Sequence, residues 1–68
     1  MSLEILVNGQ KHAISPETTL MQLLEILDLA PTKIAIERNL GIVPKSQYCQ
    51  TQLLDGDRIE IVQFVGGG

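Results

Sequence analysis

The sequence predicts an α+β domain, a mixed sheet with one helix packed across one face. Three observations carry that prediction. Strand-like alternation occurs at both ends of the chain, a leucine stripe at helical spacing lies between them, and turn-forming residues stand at the junctions.

The first strand is "LEILV", with Leu3, Ile5 and Val7 on one face and Glu4 and Leu6 on the other. Asn8-Gly9 follows, a strong hairpin signal because both central residues of such a turn must accept positive φ. "QKHAI" reads as the returning strand, and Ser15-Pro16-Glu17 breaks it. In "TTLMQLLEILDL", Leu20, Leu23, Leu24 and Leu27 fall at i, i+3, i+4 and i+7, one apolar helix stripe. Thr19 caps that helix while Gln22 reaches back, and Pro31 is expected to stop it beyond "DLA".

Strands return in the second half. "KIAIE" puts Ile34 and Ile36 on one face, and "GIVP" is a short partner after a turn near Arg38-Asn39. "PKSQYCQTQL" is too short and polar for a full helix and reads as one irregular or 3₁₀ turn. Asp55-Gly56-Asp57 is a turn before the last strand, "RIEIVQF", where Ile59 and Ile61 share one face and Glu60, Val62 and Phe64 the other. The order reads ββαββ, with first and last strands adjacent and parallel and the helix crossing between hairpins. That is a β-grasp, the ubiquitin-like arrangement. Its expected core is Leu3, Ile5, Val7, Leu20, Leu23, Leu24, Leu27, Ile34, Ile36, Ile59 and Ile61.

Composition narrows the function classes. Sixty-eight residues suit one domain near the lower limit for a single core, and 44% hydrophobic residues suit a compact globule. Residues 1–64 are expected to form that domain and 65–68 a flexible Gly-rich tail. No apolar run reaches the roughly 18 residues of a membrane span, and the opening "MSLEILVNGQ" lacks the basic-then-apolar pattern of a secretory signal. A lone cysteine precludes an internal disulfide, so a reducing cytoplasm is the expected compartment. Net charge is −3, with the five Lys and Arg dispersed and only one Tyr and one Phe, a poor footprint for nucleic acid.

The final "GGG" has two readings: a frayed end without a task, or a thread whose terminal carboxylate is the working group. A Cβ would widen such a thread, whereas glycine permits close backbone approach. Val65 to Gly68 can extend about 13 Å at roughly 3.3 Å per residue, enough to enter a partner's site. Cys49, beside Tyr48, reads as a small packing residue rather than a sulfur relay. His12 reads as a solvated surface residue, without a second histidine or a carboxylate at catalytic spacing. Asp55 and Asp57 fall short of a metal loop and are explained by turn chemistry. No nucleophile triad, zinc spacing or phosphate-cradling loop is present, so the chain is not expected to be an enzyme, to hold a metal or to bind a cofactor itself. Leu6, Val62, Phe64 and Val65 form an expected apolar docking patch on the outward sheet face at the base of the tail.

Taken in order and spacing, "ILVNGQ", "TTLMQLLEIL", "IAIERNLGIVPKSQY" and "LLDGDRIEIVQFVGGG" resemble the ThiS family of sulfur carriers in thiamine biosynthesis, over essentially the whole chain. One departure is the turn Asn39-Leu40-Gly41, where the family commonly has an Asn-Gly hairpin. The resemblance implies that a ThiF-like adenylyltransferase, using ATP and Mg²⁺, adenylates Gly68. A persulfide donor then converts Gly68 to a thiocarboxylate, and a ThiG-like thiazole synthase takes the sulfur. Gly67 and Gly68 are the pair carried over as functional, with Gly66 as spacer in the thread. Two other classes stay open. A MoaD-like small subunit of molybdopterin synthase is usually longer, with prolines before its Gly-Gly, and "QFVGGG" has none. A ubiquitin-like modifier or plain binding module would use Gly68 in an isopeptide bond or not at all.

Overall fold

Alternation in the first fourteen residues builds one edge of the sheet. A computed structural model describes residues 1–64. In it β1 (Leu3–Val7) and β2 (Gln10–Ile14) pair antiparallel around Asn8 and Gly9, at φ 50° and 84°. Asparagine tolerates this left-handed region and glycine has no Cβ to oppose it. After α1 (Leu20–Ile26) come β3 (Ile34–Arg38), β4 (Gly41–Val43) and β5 (Arg58–Gln63). The sheet order is β2-β1-β5-β3-β4, with β1 and β5 parallel and the other pairs antiparallel. This is the expected β-grasp, and the short β4 makes the full order ββαβββ rather than ββαββ.

The helix begins where the sequence spells it. Gln22 N–H donates to Thr19 Oγ1 at 3.2 Å while Thr19 N–H donates to Gln22 Oε1 at 2.9 Å, a complete capping box. Its end differs from expectation. The helix stops at Ile26, five residues before Pro31, and Pro31 instead opens a 3₁₀ turn, Pro31–Lys33. Asp28 takes φ 59°, and the N–H groups of Asp28 and Leu29 return to the carbonyls of Glu25 and Leu24. This Schellman arrangement satisfies the last carbonyls and turns Leu29 back against the core.

Nine of the eleven expected core residues are buried, and Leu3 and Leu27 are half-buried against them. Ile14, Tyr48 and Leu53 join the core without having been expected there. Tyr48 and Leu53 come from the irregular segment after β4, which contains the expected 3₁₀ turn, Lys45–Gln47. Irregularity has a use here. The carbonyls of Thr51 and Tyr48 accept the N–H groups of Leu20 and Met21, donors that the first helical turn cannot satisfy itself. Cys49 is exposed, so it is not the packing residue that its position beside Tyr48 implied; the tyrosine ring is the buried partner.

Candidate functional site at the end of the last strand

The candidate site is where β5 delivers the chain to its Gly-rich end. Gly66, Gly67 and Gly68, with Val65, lie outside the described residues. The strand that carries them is held differently along its length.

At its start, Asp57 is buried and collects three donors. They are Leu54 N–H at 2.8 Å, Arg38 Nε at 2.9 Å and Asn39 Nδ2 at 3.1 Å. Burial, the largest influence, pushes the Asp57 carboxyl up. The bonds from Leu54, Asn39 and Arg38, with the charge of Arg38, together outweigh it and hold the pKa below the usual carboxylate value. Asn39 also accepts from Arg58 N–H through Oδ1 at 2.9 Å and donates its own N–H to Arg58 O. The neighbouring Asp55 accepts from Glu4 N–H at 2.8 Å. Turn chemistry alone therefore describes Asp55 and Asp57 incompletely: they tie the turn before β5 to β1 and β3.

Midway along β5 a second asparagine does similar work. Asn8 N–H donates to Ile59 O, Asn8 Nδ2 donates to Ile61 O at 3.2 Å, and Ile61 N–H donates to Asn8 Oδ1 at 2.8 Å. The side-chain amide thus continues the parallel ladder past the end of β1. An Asn-Gly pair announces the turn in the sequence, but nothing in it announces this second role.

Toward its end β5 is held by β3, through pairs from Arg38↔Ile59 to Ile34↔Gln63, and then by Phe64 N–H donating to Lys33 O. Val62 and Phe64 are each 59% exposed. Leu6 does not join them. It is half-buried and pairs in register with Arg58, four strand positions from Val62, or about 13 Å. On the helix side, Val7, His12, Leu27, Leu29, Ile61 and Gln63 line a shallow depression. His12 is half-buried at its rim rather than fully solvated. Among the described residues, no group of three His, Cys, Asp or Glu side chains is placed to hold a metal ion. Among the described residues, no helix is long and apolar enough to cross a membrane.

Comparison with known proteins agrees with this architecture. The ThiS family model matches residues 5–68. A thiazole synthase of Paramagnetospirillum magneticum is 46% identical over 66 residues, which cover 97% of this chain and 20% of that protein. The chain thus spans about a fifth of that relative's length. The sulfur carrier protein ThiS of Bacillus subtilis is 44% identical over 63 residues, covering 91% of this chain and 96% of that one. Among solved structures, a thiamine biosynthesis protein (ThiS) from Geobacter metallireducens superposes with a TM-score of 0.83 at 26% identity, covering 97% of this chain and 100% of that one. A ubiquitin from Caldiarchaeum subterraneum, 14% identical, shares the fold with a TM-score of 0.55 and covers 100% of this chain and 98% of its own.

Proposed function

The chain belongs to the ThiS family, and from that premise we propose that it is a sulfur carrier of thiamine biosynthesis whose reacting group is the carboxylate of Gly68. The supporting observation is the family match running through the last glycine, on a body whose final strand is fastened to two hairpin turns. The body (1–64) fixes the strand end that leads into the tail (65–68), and the tail carries the chemistry. The carrier is a co-substrate, not an enzyme.

A carboxylate resists nucleophilic attack, because its charge repels the nucleophile and oxide leaves poorly. A ThiF-like adenylyltransferase, with its own ATP and Mg²⁺, removes both obstacles. The Gly68 oxygen attacks the α-phosphate, pyrophosphate leaves, and AMP becomes the leaving group at the carbonyl carbon. A donor persulfide displaces AMP, and reduction of the new S–S bond by a thiol leaves the thiocarboxylate. Its sulfur anion is the nucleophile that a ThiG-like thiazole synthase consumes, for the same reason that thiolates attack at neutral pH. Gly66 and Gly67 keep the thread narrow on its way into both enzymes. Val62, Phe64 and Val65 form the docking surface at its base, with Leu6 as an outlying contact. A reducing cytoplasm suits this sulfur chemistry.

The intact mass of the protein from its native host tests this reading. It is expected to end at Gly68 with one oxygen replaced by sulfur, and the gene is expected to restore growth without thiamin to a strain lacking its own carrier. A terminus in amide linkage to another protein would move the chain to the modifier class.

A further inference from the structure

The sheet face turned away from the helix carries a pairing that the fold alone does not favour. Glu37 on β3 stands directly opposite Glu60 on β5, and both are exposed. Like charges facing each other across an antiparallel pair repel and destabilise it. No ion pair compensates it. Among the described residues the one ion pair is Arg38 with Asp57, and no cationic nitrogen lies within 4 Å of either glutamate. Arg58, two residues before Glu60 on the same face, pairs with neither.

Apolar side chains surround the pair. Ile42 on β4 is opposite Glu37 and 78% exposed, while Val62, two residues beyond Glu60, leads to Phe64, each 59% exposed. We infer that this face docks the activating enzyme by seating one of its cationic side chains, an arginine by geometry, between Glu37 and Glu60 inside the rim of Ile42, Val62 and Phe64. A guanidinium can fork to two carboxylates at once, and the apolar rim keeps water from screening the contact. Repulsion stored in the free carrier is relieved only in the complex, so binding gains from both. The rim continues into the strand end that leads to Gly68. Of the two enzymes proposed to act there, the activating enzyme is the one that must seat the carrier before it bears sulfur, so it is the occupant. The inference rests on the reading of the chain as a sulfur carrier.

Glu37→Gln, Glu60→Gln and the double variant test it against a ThiF-like activating enzyme, with Glu25→Gln on the exposed side of the helix as control. Melting temperature, Kd by calorimetry at low and moderate salt, and sulfur loading are measured. The double variant is expected to melt higher than the parent, to bind about tenfold or more weakly and to lose most of the salt dependence of binding. At saturating enzyme it should load sulfur at the parent rate. A parent-like Kd in the double variant, or a lower melting temperature, overturns the inference, as does a carrier dimer that uses this face. A parent chain that never loads sulfur instead refutes the carrier reading itself, so the two failures are distinguishable.

Discussion

The two ends of β5 obey different rules although one strand contains both. At the start, Asp57 is buried and bonded to Leu54, Arg38 and Asn39, and Ile59 is 1% exposed. At the far end, Val62 and Phe64 stand open to solvent on a face crowned by two facing glutamates. The first end is built for stability. The second gives up stability where the proposed partner would land, and it precedes in sequence the glycines that carry the proposed chemistry. A carrier needs both, because a reacting atom on a thread is only as well placed as the strand beneath it.

Substitutions along the strand should separate the two ends. Ile59→Ala removes buried methyl groups and is expected to cost about 2–5 kcal/mol by denaturant titration, a large share of what a domain this small has. Val62→Ala, on the same strand, should move stability by less than about 0.5 kcal/mol while weakening the activating enzyme's grip. Equal losses of stability would erase the distinction between the ends.

Asp57→Ala is the next largest effect. It orphans the donors of Leu54, Arg38 and Asn39, at a cost of about 1–3 kcal/mol. A pH series sharpens the comparison. Because the folded Asp57 pKa is lowered, its contribution is complete above the unfolded value of about 3.9 and disappears as pH falls through the lower folded value. The parent should therefore lose stability below about pH 4 more steeply than Asp57→Asn does. Parallel acid curves would show that the cluster contributes nothing through charge.

A smaller effect, and a gain, concerns the turn beside that cluster. Asn39 and Leu40 take φ 51° and 74°, the same left-handed pair as Asn8 and Gly9, but with leucine where the other turn has glycine. Leucine there is strained by about 1–2 kcal/mol, against about 0.5–1 kcal/mol of extra chain entropy that glycine loses on folding. Leu40→Gly should therefore stabilise by up to about 1.5 kcal/mol, read as a higher denaturant midpoint. Destabilisation would mean that the Leu40 side chain, 90% exposed, nonetheless packs in solution.

Much of this was legible in the residues because it is periodic. Alternation located β1 and β5, the leucine stripe located the helix face, and Thr19 with Gln22 gave its start. The features that escaped are those in which distant residues meet. Asp28 ends the helix from a position where glycine is the usual signal, so Pro31 looked like the stop. Tyr48 and Leu53 enter the core from a segment with no period to read. Asp57 sits in a turn-like "DGD", and only the fold brings Arg38 and Asn39 to it. Leu6 alternates correctly, but the parallel register that parts it from Val62 is absent from its local sequence. The role proposed for the glycines rests on the family's pattern, since a run of three carries no chemistry of its own.

Deleting Gly68 tests the central claim most directly. The shortened chain and the parent are each incubated with the activating enzyme, ATP and a persulfide donor, then read by melting temperature and intact mass. The account predicts matching melting temperatures, a thiocarboxylate on the parent and none on the deletion, because Gly67 would stop one residue short of the adenylation site. A deletion variant that loads sulfur as the parent does would contradict the assignment of Gly68 as the working group.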